Sequence, residues 1–87
     1  MEKQKITVRV GGKAYTLVSS DSPEHVRRVA ELADRHLRDM ELGTGLPMAQ
    51  VQILTLLNTT DQLVRAQDEI RELKTRLAVE AGEILNK

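Results

Sequence analysis

Two histidines, three clustered serines and a pair of adjacent glycines are the residues of this 87-residue chain whose types and spacing could do chemistry. His25 and His36 are eleven residues apart, close to three helical turns, so both can fall near one face of a helix. They would still lie about 16 Å apart along its axis, too far to share a metal ion. There is no Cys, which excludes a thiolate nucleophile, a disulfide scaffold and a cysteine zinc site. Ser19, Ser20 and Ser22 have no general base beside them and suit the capping of a helix. Gly11-Gly12 is followed by no helix N-terminus and no Lys-Ser pair, so it is a turn and not a phosphate loop. No catalytic constellation and no cofactor site emerges, and an enzyme is the weakest reading of the chain.

Charge is more informative. Lys plus Arg and Asp plus Glu are 13 each, but the balance is not uniform. Residues 1–20 carry Lys3, Lys5, Arg9 and Lys13 against Glu2, a net of plus three. Residues 21–42 are net minus two and residues 43–87 net minus one. Lys5, Arg9 and Lys13 therefore form a locally basic tip, which would steer the protein toward an acidic partner. Cations on a strand also block unwanted strand pairing, and one strand can serve both roles. The zero overall charge argues against bulk nucleic-acid binding, and the single aromatic residue, Tyr15, is too little for a base-stacking platform.

These residues must be positioned by few elements. In Lys5–Val10, Ile6, Val8 and Val10 alternate with Lys5, Thr7 and Arg9, the period of a strand. With Gly11-Gly12 as a two-residue loop, Lys13–Val18 becomes the second strand of a β-hairpin. Val8 then faces Tyr15 and Ile6 faces Leu17, while Lys5, Thr7, Arg9, Ala14, Thr16 and Val18 take the other face. A lone hairpin is marginally stable, so its apolar face must lie on something. Asp21 or Ser22 caps a helix whose first turn holds Pro23, and Asp21 with Glu24 has capping-box spacing. Val26, Val29, Ala30, Ala33, Leu37 and Met40 make its apolar stripe, and Gly43 is the expected stop.

Pro47 opens a second helix that meets no further Pro and only Gly82. About 40 residues of helix would be about 60 Å long, too long to pack wholly on its own chain. From Val51 to Val64 it is apolar on more than one side, so it should meet two partners: its own hairpin and first helix, and a second copy of the chain. Leu56, Leu63, Ile70, Leu77 and Ile84 then recur at sevens, with Thr59, Ala66, Leu73 and Glu80 three residues after the first four. Mixed charges flank this row, as in a coiled coil. Asn58, inside the apolar stretch, is a candidate for fixing register between helices. The expected architecture is α+β: a globular head over 1–62, made of hairpin, first helix and start of the long helix, and a coiled-coil tail over 63–87. No apolar run reaches the roughly 18 residues of a membrane span, and the N-terminus has no signal-peptide core. A cytoplasmic protein without membrane insertion is expected.

The order Ile-x-Val-x-Val-Gly-Gly-Lys-x-Tyr-x-Leu, then Ser-Pro-Glu and a Val-, Ala-, Asp- and Arg-rich helix, then Val-Gln-Ile-Leu-Thr-Leu-Leu-Asn and a heptad tail resembles the ZapA family of bacterial cell-division proteins. The resemblance runs roughly from Ile6 to Leu77. It implies a non-enzymatic homodimer, in some members a tetramer through antiparallel coiled coils. It also implies binding to the tubulin-like division GTPase FtsZ and cross-linking of its protofilaments at the mid-cell ring. Lys13 occupies the place of a basic turn residue implicated in FtsZ contact, with Lys5 and Arg9 beside it. Ile53, Leu54 and Leu57 match the aliphatic segment implied in dimer packing; Leu56, Asn58, Leu63, Ile70, Leu73 and Leu77 complete the expected self-association set. An acid that some relatives carry just before this segment is Ala49 here. The competing readings are a generic coiled-coil binding module or small chaperone presenting hairpins on stalks, which would need an apolar stalk tip, and a dimeric DNA-binding regulator, which would need a basic recognition helix.

Overall fold

A computed structural model describes residues 2–85. Asn86, Lys87 and the side chains of Ile84 and Leu85 lie outside the described residues, so the last member of the heptad row is not placed. The chain is α+β: strands β1 (Gln4–Val10) and β2 (Lys13–Ser19), helix α1 (Pro23–Thr44) and a long helix α2 (Met48–Leu85). It forms two compact units, Met1–Thr55 and Leu56–Lys87.

In the first unit β1 and β2 pair antiparallel, with Val8 opposite Tyr15 and Ile6 opposite Leu17, the register expected from alternation. Gly11 and Gly12 both have positive φ, 63° and 80°, which the tight two-residue hairpin turn demands and side chains resist. Thr7 and Thr16 hydroxyls meet at 3.2 Å on the face away from the core.

Helix α1 begins at Pro23, and the cap is Ser22, not Asp21: the Ser22 hydroxyl oxygen accepts the His25 N–H at 3.2 Å. Asp21 instead donates its own N–H to the Ser19 hydroxyl at 3.0 Å, so the Asp21–Glu24 box does not form. The helix passes through Gly43 and stops at Gly45, whose φ of 63° and N–H bond to the Glu41 carbonyl (2.9 Å) close the last turn. The Thr44 hydroxyl donates to the Met40 carbonyl at 2.8 Å and accepts from the Leu46 N–H at 3.3 Å, which carries the helix beyond the earlier glycine. Helix α2 starts one residue after Pro47, whose carbonyl accepts the N–H groups of Gln50 and Val51.

The core of this unit is small. Ile6, Val8, Val26 and Ala30 cluster, with Val10 packed against them, and Leu37 and Val51 are also buried. Each of the larger aliphatic side chains contributes about 1.5–3 kcal/mol by leaving water. The apolar stripe of α1 is narrower than the spacing predicts: Val29 is 55% exposed and Ala33 is exposed too. Helix α1 packs mainly on β1, and one strand covers only part of the apolar arc. The second unit is a single stretch of helix.

Candidate functional site

The basic tip is built by the hairpin turn and held by α1. The Gly11 N–H donates to the Asp34 carboxylate at 2.9 Å, and Asp34 also pairs with Arg38 at 3.0 Å. Leu37, one helical turn from Asp34, packs so closely that a methyl group on Gly11 would lie 2.8 Å from its Cδ2. The Arg9 guanidinium donates to the Gly12 carbonyl at 3.1 Å, which closes the outer side of the turn. The turn is thus fixed by one helix carboxylate, one buried leucine and one arginine.

Lys5, Arg9 and Lys13 are all exposed, but the register separates them. Lys5 and Arg9 pair with Val18 and Ala14 on the outer face. Lys13 pairs with Val10 and so shares the face of Ile6 and Val8, at the hairpin's end. Arg9 and Lys13 therefore flank the turn on opposite faces, Lys5 lies toward the other end of the hairpin, and the three do not form one patch. Arg27 of α1 joins them: with Glu31 it lines a shallow groove along Thr7, Val8 and Arg9 of β1. Asp34 and Arg27 were not singled out by sequence. The Asp34–Arg38 spacing was visible, but nothing local links Asp34 to a glycine 23 residues away.

The second surface is aliphatic. Within the second unit Leu56, Leu63, Ile70 and Leu77 are between 51% and 67% exposed, and Leu73 is exposed beside them. At 100° per residue the four fall within about 60° of one another, a single row along the helix. The ion pairs Arg65–Asp61 (2.8 Å), Arg71–Asp68 (3.5 Å) and Arg76–Glu72 (2.7 Å) lie on other sides of the helix from that row. Asn58 is about 200° around from Leu56, so it lies opposite the row, and Leu57 is about 100° from it. In the first unit Val51 is fully buried, while Ile53, two residues on, is 58% exposed and Leu54 is partly covered. Of the expected self-association set, the second unit thus holds the row with Leu73 beside it, Leu57 on its flank and Asn58 on the far side, and the first unit holds Ile53 and Leu54.

Among the described residues no group of three or more His, Cys, Asp or Glu could hold a metal ion, and no helix is long and apolar enough to cross a membrane. What the geometry offers is binding chemistry: exposed cations along a hairpin whose turn is held by α1, and an exposed aliphatic row along the second unit.

The sequence profile of a family described as Cell division protein ZapA matches residues 6–87. A protein described as Cell division protein ZapA from Halalkalibacterium halodurans is 34% identical over 74 residues, 84% of this chain and 81% of its own. Another with the same description, from Geobacillus thermodenitrificans, is 30% identical over 81 residues, 92% of this chain and 89% of its own. A solved structure described as a ZapA mutant dimer from Geobacillus stearothermophilus superposes with a TM-score of 0.72 at 26% identity, covering 88% of this chain and 91% of that one.

Proposed function

Because this chain belongs to the ZapA family of cell division proteins, we propose that it works as a non-enzymatic division adaptor, a self-associating protein that binds FtsZ and bundles its protofilaments at the mid-cell ring. The observation that carries this reading is the exposed row Leu56, Leu63, Ile70 and Leu77. Leucines at heptad spacing with charges on other sides suit helix-to-helix packing between copies. The solved relative described as a mutant dimer supports self-association. In this reading residues 1–62 act as the head and 63–87 as a coiled-coil tail, and the basic hairpin with Lys5, Arg9 and Lys13 meets an acidic surface of FtsZ in the cytoplasm. Joining two weak sites raises the effective concentration at the second, so a dimer can link filaments that a monomer cannot.

The test is co-sedimentation and electron microscopy of FtsZ polymers. Leu63→Glu should give a monomer in analytical ultracentrifugation, with the head still folded and bundling lost. Bundling by a verified monomer would overturn the adaptor mechanism. Lys13→Glu should weaken co-sedimentation at low salt and leave the oligomer intact; unchanged binding would remove the hairpin from the contact.

A further inference from the structure

Among the described residues the sheet has two strands, so β1 has one edge with no neighbouring strand. In a two-residue hairpin the residues flanking the loop, Val10 and Lys13, exchange hydrogen bonds with each other, and the pattern alternates from there. Lys5, Thr7 and Arg9 therefore turn their backbone N–H and C=O groups away from β2. Along this edge runs the shallow groove lined by Thr7, Val8 and Arg9 of β1 and by Arg27 and Glu31 of α1, with no residue of β2. The groove thus combines a row of unpaired backbone groups with two guanidinium groups and a single carboxylate. Arg9 is held along the strand by its bond to the Gly12 carbonyl, and a guanidinium has five N–H donors, so most of them remain for a ligand.

We propose that the free edge of β1 takes an extended acidic segment of another protein as a third strand, with Arg9 and Arg27 receiving its carboxylates. Main-chain bonds would supply affinity and the arginines would select the charge, which is how strand addition achieves specificity. Charge decides against the other occupant, a second copy of β1. That strand brings its own Lys5 and Arg9 to the same edge, and like charges facing across a strand pair are destabilising. The cations that block unwanted pairing are the groups that would favour an acidic strand. This site does not depend on bundling or on the leucine row.

The probe is a short fluorescent peptide of alternating Glu and Thr, titrated into the full chain and followed by anisotropy. Two controls are run beside it: the same peptide with Lys for Glu, and the Glu peptide with every backbone amide N-methylated. The acidic peptide should bind and the Lys peptide should not. N-methylation should abolish binding, and Arg27→Glu should weaken it by about tenfold or more, the scale of one lost charge-assisted bond. Backbone amide exchange at Thr7 and Arg9 should slow only when peptide is present. Failure of the acidic peptide to bind would overturn the proposal. Equal binding of the N-methylated peptide would also overturn it, because charge alone would then explain the affinity. Slow exchange at Thr7 and Arg9 without peptide would show the edge already filled by a second copy, with the same consequence.

Discussion

Val51 and Leu56 are five residues apart on one helix, yet Val51 has no exposed surface and Leu56 is 62% exposed. The first belongs to a unit with a hairpin and a second helix to pack against; the second belongs to a unit that is helix alone. Sequence hydrophobicity scarcely distinguishes them. The contrast teaches that apolar character on α2 has two outcomes, one buried within its own unit and one left exposed along the helix. An isolated helix draws most of its stability from packing, so what covers the exposed side decides whether that stretch is stable.

The contrast is broken most severely at Val51. Val51→Asp places a carboxylate where no surface is exposed, which costs several kcal/mol, so the head should lose its cooperative melt in circular dichroism. The same change of character at Leu63 should leave that melt in place and act on association only. A head that survives Val51→Asp would erase the distinction. A smaller effect is expected at the turn. Gly11→Ala combines a left-handed backbone with a 2.8 Å approach to Leu37, so it should lower head stability by about 1–2 kcal/mol in urea titration. No change in midpoint would mean that the tip is not fixed as described. The smallest effect belongs to the charged sides of α2. Glu72→Gln removes the exposed pair with Arg76 and should cost about 0.3–0.5 kcal/mol, lost in high salt. A larger cost would place that side of the helix inside an interface.

Much of the fold was legible because its signals are local. Alternation in β1 and the Gly11-Gly12 pair dictate the hairpin, its register and the separation of Lys13 from Lys5 and Arg9. The leucine row was legible for the same reason. Choices between neighbours were not. Ser22 and Asp21 are both good caps, and the choice turns on Ser19, which engages Asp21 first. Gly43 and Gly45 are both good stops, and the Thr44 hydroxyl favours the later one. The exposure of Val29 could not be read from periodicity, because a stripe reports an apolar face and not the width of the surface that covers it. Contacts across long separations were the least legible: Asp34 with Gly11, and Arg27 with Arg9 along one groove, depend on how α1 lies on β1.

The division of the cations between the two faces of the hairpin limits how it can be gripped. A two-stranded ribbon is thin, with Lys5 and Arg9 on one side and Lys13 on the other. A flat acidic wall can touch one side at a time. The Lys13 side is also the face that buries Ile6 and Val8 and that Leu37 closes on at Gly11, so a partner lying along Lys5 and Arg9 can meet Lys13 only past the end of the turn.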